Sequence, residues 1–155
     1  MKQLSGFLII MCLLIGCAVV PQYALHQEKY FPEGLEEVYL GMPGKFLDKT
    51  RTDTSLELVT DDPDSTRVVY REQHSGKAFE EVLYFTDAQN DQALYELQVN
   101  YPEGTNVYEE AIKLYGEANS DEGEWFFKTE ENFNVIVWVQ GQGMTISARE
   151  IRNQN

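Results

Sequence analysis

The chain has 155 residues, with 26 Asp and Glu against 12 Lys and Arg, a formal net charge of −14 at pH 7. That balance argues against a nucleic-acid partner and against adsorption to anionic headgroups, because both repel carboxylates. It suits cationic protein partners, and it equally suits a chain that uses charge for solubility.

Residues 1–16 have the order of an export signal: a positive end at the amino terminus and Lys2, an apolar core from Phe7 to Ile15, and the small residue Gly16. The core is too short for a membrane-spanning helix, which needs about 20 apolar residues. Leu14-Ile15-Gly16-Cys17 resembles the lipobox of bacterial lipoproteins: an aliphatic residue, a small or aliphatic one, Gly or Ala, then Cys. The resemblance implies that Cys17 becomes the first mature residue, carrying diacylglycerol on its thiol and usually an acyl group, such as palmitate, on its amine. Two or more acyl chains, at roughly 0.8 kcal/mol per buried methylene, anchor stably where one is marginal. With Ala18 rather than Asp after the cysteine, the resemblance also implies the outer membrane, facing the periplasm, or the cell membrane in a source with a single membrane. The competing reading is an ordinary secretory peptide in which Cys17 is incidental.

Loss of residues 1–16 removes Lys2 and takes the net charge from −14 to −15. It also removes Cys12, and with Cys17 lipidated no disulfide can form within the mature chain. Residues 17–30, with Pro21 and no hydrophobic period, read as a tether reaching on the order of 20 Å. His26 lies there, where a lone histidine is solvated rather than a ligand.

The folded part is expected over residues 31–152 as one domain of two repeats, 31–101 and 102–152. Phe31-Pro32-Glu33-Gly34 returns as Tyr101-Pro102-Glu103-Gly104, and the segments that follow end in Tyr39-Leu40-Gly41 and Tyr115-Gly116, which a duplication explains economically. In the second copy Asn106 is placed to cap a helix. Val107, Tyr108, Ala111, Ile112 and Tyr115 share one of its faces, and Gly116 stops it in the manner of a left-handed cap. The first copy offers a couple of helical turns over Leu35 to Leu40, and the pattern allows a second short helix near Lys45 to Lys49. Strand signals follow over Val68–Arg71, Phe79–Phe85 and Leu94–Tyr101, then over Glu124–Thr129, Phe133–Val139 and Met144–Arg149. The expected fold is therefore α+β, tandem αβββ repeats forming an antiparallel sheet packed against short helices.

Tyr95, Leu97, Val99 and Tyr101 alternate with polar residues and are expected on one face of their strand. Phe133, Val135, Val137 and Val139 do the same, which puts Ile136 and Trp138 on the opposite face. An exposed Trp138 would anchor a partner, and Tyr95 is the second candidate contact; the alternative is that Trp138 is covered by the other repeat or by the segment from Lys49 to Thr66.

A lipid anchor, a tether and a unit of one helix and three strands resemble the SmpA/OmlA group of small outer-membrane lipoproteins of the β-barrel assembly machinery. They also resemble the repeats of the β-lactamase inhibitor proteins. Leu40-Gly41-Met42 is similar to the Gly-Met that opens the SmpA/OmlA helical unit, and Tyr115-Gly116-Glu117-Ala118 to the Gly-x-Pro that closes it. Ala118 replaces that proline, and Pro43-Gly44 interrupts the helix expected after Gly-Met, so the resemblance implies a fold class and no particular partner.

Catalytic and metal chemistry find little support. Two histidines and no free mature thiol give neither a His-rich metal site nor a cysteine nucleophile. His74 and Ser75 are sequence neighbours, which is not triad geometry. Asp61-Asp62-Pro63-Asp64 and Asp87 with Asn90-Asp91 lack the spacing of a calcium loop. Glu80-Glu81 and Asp121-Glu122-Gly123-Glu124 would supply a carboxylate pair, but acidic pairs are expected by abundance in so acidic a chain. No cofactor, metal or catalysis is expected. The expectation is a lipid-anchored envelope lipoprotein acting as a non-catalytic protein-binding or scaffold module for another envelope protein. The alternative is an inhibitor of a cationic exported hydrolase of lysozyme or β-lactamase type, and a carboxylate-based hydrolase ranks third.

Expressed in a bacterium, the protein should partition into detergent and carry a diacylglyceryl mass increment on a chain beginning at Cys17, whereas Cys17→Ser should leave an uncleaved precursor or a soluble species. Mass spectrometry of the amino terminus reads this directly, and an unmodified terminus at Ala18 or beyond, or a retained Met1, would remove the anchor.

Overall fold

In a computed structural model the described residues are 28–51, 55–59, 65–75, 78–89, 93–129 and 133–150. The export signal, Cys17, the tether through residue 27, Asp61–Asp64 and Asn90-Asp91 lie outside them. The strands are β1 (Leu56–Leu58), β2 (Arg67–Gln73), β3 (Glu81–Asp87), β4 (Leu94–Asn100), β5 (Trp125–Lys128), β6 (Phe133–Gln140) and β7 (Gly143–Glu150), with helices α1 (Leu47–Thr50) and α2 (Val107–Tyr115). They make one antiparallel sheet in the order β1-β2-β3-β4-β7-β6-β5. This is the α+β sheet with short helices that the pattern predicted. All six anticipated strands are present; β1 was not anticipated, because three residues carry too little alternation to show a period.

Each half of the chain builds a meander of three strands, β2-β3-β4 and β5-β6-β7, and the third strands of the two meanders pair as β4 and β7. Alternation sends Val82, Tyr84, Leu97, Val99, Ile146, Met144, Val137, Val135 and Trp125 to one face, where all are buried. Residues 30–51 and α2 cover that face.

The two halves cover it differently. Pro32-Glu33-Gly34-Leu35 and Pro102-Glu103-Gly104-Thr105 form the same turn: Leu35 N–H donates to the Pro32 carbonyl at 3.2 Å and Thr105 N–H to the Pro102 carbonyl at 3.1 Å. The third position is Gly at φ +97° and +87°, the type II signature that only a residue without Cβ adopts easily. After the second turn α2 begins, with Asn106 Oδ1 accepting from Glu109 N–H at 3.3 Å. After the first turn the helix expected over 35–40 is absent. Turns close instead at Val38 N–H to the Leu35 carbonyl and Met42 N–H to the Tyr39 carbonyl. Residues 41–43 then pair with the start of β4, through Gly41 N–H to the Leu94 carbonyl and Leu94 N–H to the Met42 carbonyl. The reason is spacing. Six residues between two glycines cannot offset helix nucleation, and Leu35, Val38, Leu40 and Met42 reach the core without following a 3.6 period. The second short helix is present, as a 3₁₀ turn at Gly44–Phe46 running into α1.

Gly116 ends α2, but with φ +79° and ψ −163°, outside the left-handed well that was expected. This backbone aims its carbonyl at the Trp125 indole, whose Nε1 donates to it at 2.8 Å. Tyr115 donates its hydroxyl to the Tyr30 carbonyl at 2.7 Å, so the helix end, β5 and the first described turn of the chain form one aromatic cluster. Tyr108 differs from the expected helix face: it remains partly exposed and only leans on Trp125, at 5.3 Å between ring centroids.

Gly104→Ala should destabilise the fold by about 1–2 kcal/mol, because no neighbour crowds the added methyl and the cost is the positive φ alone. Urea unfolding should show a lower midpoint with an unchanged slope; an unshifted midpoint would mean that the turn is not held in this conformation.

Candidate functional site

The other face of the sheet is built from the alternate residues of the same strands. Following the register, Val69, Phe85, Glu96, Ser147, Ile136 and Phe126 form one row across six strands. The adjacent row is Arg71, Leu83, Gln98, Thr145 and Trp138. No described helix lies over these rows. Ser147 and Thr145 are nevertheless buried, because small side chains sit low between larger neighbours, while Phe126 stands 37% exposed. The face is thus apolar at both flanks with a polar floor between them.

Trp138 falls on this open face, as expected. It is partly exposed, with the Arg149 guanidinium 5.8 Å from its ring centroid. Tyr95 reaches the same face by a route the alternation did not show. The β3–β4 register slips between Phe85 and Thr86, so that Thr86 faces Leu94 and Phe85 faces Glu96. Leu94 therefore takes the core position, and Tyr95 leaves the face of Leu97, Val99 and Tyr101 on which it was expected. Burial and the Glu96 carboxylate raise the Tyr95 hydroxyl above its ordinary pKa, while Arg67 opposes them. Tyr95 and Trp138 thus share a face, separated by β7.

One end of this face is polar and ordered. Asn100 Nδ2 donates to Glu81 Oε2 at 2.7 Å, Gln98 Nε2 donates to Asn100 Oδ1 at 2.9 Å, and Arg71 Nε lies 3.0 Å from Glu81 Oε1. Beside them is an open cleft of about 360 Å³ lined by Gln73, His74, Glu80, Glu81 and Asn100. Glu80 and Glu81 do line one cleft, but Glu81 already holds an amide on one oxygen and a guanidinium on the other. Among the described residues no three His, Cys, Asp or Glu side chains converge as metal ligands do.

Behind the sheet lies a charged group that pattern reading missed. Glu72 is fully buried on the core side of β2. Arg51 Nε donates to both of its oxygens, at 3.2 and 3.0 Å, Arg51 Nη2 donates to Oε1 at 2.7 Å, and the Tyr84 hydroxyl donates to Oε2. Arg51 also donates to the Gly34 carbonyl at 2.9 Å, which ties the first turn, the end of α1 and β2 together. His74 brings Nε2 to 3.1 Å from Glu72 Oε1 and sets its ring edge against Phe79, so it packs into the core while Ser75 is exposed. Burial works against the Arg51 charge, but the bond to Glu72 together with the charges of Tyr84, Glu72 and Glu37 outweighs it and holds the guanidinium above its ordinary pKa. Burial and the Glu72 charge push the Tyr84 hydroxyl far up. The signal was present in β2, where Val68, Tyr70 and Glu72 share a parity and a carboxylate on a core parity demands a partner.

Glu72→Gln should cost about 3–5 kcal/mol, because Arg51 is left buried without its carboxylate, and Tyr84→Phe should cost less, about 1.5–3 kcal/mol for one charged hydrogen bond. Urea midpoints of the two variants test this order; equal and small losses would mean that water reaches the pair.

No family model, curated protein or solved structure matches the chain, so its functional reading rests on this geometry and on the sequence motifs.

Proposed function

We propose that this chain is a lipid-anchored protein of the bacterial envelope that binds another envelope protein on the open face of its sheet, without catalysis. The observation that carries the reading is that face itself. Among the described residues the seven-stranded sheet is covered on one side only, and its other side presents Phe126, Ile136 and Trp138 at one flank and Phe85, Leu83 and Tyr95 at the other. Apolar and aromatic side chains around a polar floor are what a protein partner buries. The lipobox at Leu14–Cys17 supports the anchor. The described chain starts beside Phe127, with Tyr30 at 5.1 Å between ring centroids, so its first described residues sit on the β5 side of the sheet. We also read the two halves as copies of one unit, on the strength of their matching Pro-Glu-Gly turns and their three-strand meanders joined third strand to third strand. In the first copy turns stand where α2 stands in the second.

A second reading is favoured by the charge. With a net of −15 after signal removal, the same face would suit a cationic exported hydrolase that the protein inhibits, an association that weakens steeply with salt. The carboxylate-hydrolase reading ranks last, since Glu81 is engaged by Arg71 and Asn100.

Purification from gently solubilised envelope should recover a stoichiometric partner, and Trp138→Ala should weaken its retention at least about tenfold without changing the unfolding midpoint appreciably. Recovery of the protein alone, or a partner retained equally by the variant, would overturn docking on this face. Inhibition of a cationic hydrolase at low salt that disappears at high salt would favour the second reading.

A further inference from the structure

The open face does not share the charge of the chain. The molecule carries a formal net of −14, yet its described strands place Arg67, Arg71, Lys128 and Arg149 on this face against Glu57, Glu81, Asp87 and Glu96, which balance them. The two signs are not evenly mixed. At the end beside the cleft Arg71 lies 3.0 Å from Glu81 and 3.6 Å from Glu57, so both carboxylates have a cation. At the opposite end the cations predominate.

Lys128 of β5 faces Asn134 of β6, and Asn134 faces Arg149 of β7, so two cations flank one amide in a single row across three strands. Arg67 stands at the same end of β2, opposite Asp87. All three cations are exposed, and among the described residues no carboxylate forms an ion pair with any of them. Two of them rest on rings instead: the Arg149 guanidinium lies 5.8 Å from the Trp138 centroid and that of Arg67 lies 5.7 Å from Phe85. A ring attracts the charge but is no match for an oxygen as a hydrogen-bond acceptor, so the guanidinium donors still call for oxygen atoms. The next row inward is Phe126, Ile136 and Ser147, so Lys128 and Arg149 border apolar surface.

We propose that the row of Lys128, Asn134 and Arg149 docks an acidic segment of the partner protein, with carboxylates on the row and apolar side chains on Phe126, Ile136 and Trp138. This names the partner's chemistry for the open face and rests on the reading of that face as a docking surface. Charge selects the occupant through its size. At physiological ionic strength the Debye length is about 8 Å, so a narrow segment seated on the row meets Lys128 and Arg149 while distant carboxylates are screened. A membrane surface or a nucleic acid is extended, meets the whole acidic molecule and is repelled. A second copy brings a further −14 with it, which disfavours self-association. The spacing suits an extended segment running across the strands. Lys128 and Arg149 are two strand spacings apart, roughly 10 Å, carboxylates at alternate residues lie roughly 7 Å apart, and the long cationic side chains span the difference.

The test uses the full chain in detergent at physiological salt and, as probe, a short rhodamine-labelled peptide of alternating glutamate and valine, read by anisotropy. Saturable binding is expected, weakened at least about tenfold by the double change Lys128→Ala and Arg149→Ala. Both side chains are exposed, so this variant should keep its unfolding midpoint. Lys45→Ala with Lys49→Ala alters the net charge equally on the segment that covers the other face, and should bind the peptide as wild type does. Absence of saturable binding, no loss in the first double variant, or equal loss in both overturns the proposal. Displacement of the probe by phosphatidylserine added below the peptide's own concentration makes a headgroup the occupant and overturns it. Self-association of the protein that the first double variant abolishes makes a second copy the occupant, with the same result. An envelope partner held through Trp138 but retained equally by the first double variant sinks this inference and leaves the open-face reading standing. Saturable, row-dependent peptide binding with no envelope partner recovered does the reverse.

Discussion

One ladder holds the molecule together as a single sheet. Among the described residues every other strand pair joins neighbours in the chain, and only β4 with β7 is non-local, with Leu97 facing Ile146 and Val99 facing Met144. Hairpins form early because their ends are close, while a ladder between distant segments must wait until the loop-closure entropy can be offset. Without this ladder each half would be a three- or four-stranded meander with two more edges to protect. With it, all four of these side chains become fully buried at the centre of the core.

A sheet of this width needs more covering material than the described residues supply. One helix of nine residues and the turns from Tyr30 to Arg51 suffice for one face, and no described element remains for the other. The covered face is therefore dense and the opposite face stays mixed, apolar at its flanks and polar between them. The covering segment has little helix of its own, so it depends on specific ties. The bidentate Arg51–Glu72 pair is the strongest of these, joining α1, the Gly34 turn and β2 at a point where removal of either partner would leave a buried charge. The aromatic cluster of Tyr30, Tyr115, Trp125 and Phe127 plays the corresponding part at the other side of the sheet, without charge.

An acidic surface contributes to both readings of function. It keeps copies of the chain apart and favours cationic partners, yet it says nothing of where they dock. The geometry offers one place: the open face carries apolar groups that no described element buries.

The local signals were legible because their causes are local. Strand signals marked six strands, Asn106 and the spacing of Val107, Ala111 and Ile112 marked α2, and the repeated Pro-Glu-Gly fell at two equal turns. The proposed export and lipidation motif likewise rests on contiguous residues and needs no fold to be stated. What only the tertiary structure decided depends on partners distant in sequence. The register slip that moved Tyr95 to the open face depends on how β4 meets β3, and the turns at 35–40 depend on pairing with the start of β4. The placement of Trp125 in the core and Trp138 outside it follows from which face α2 covers. The parity of β2 marks Glu72 for the core, but spacing does not name its partners, because Arg51 and Tyr84 come from other segments and only folding brings them within hydrogen-bonding distance.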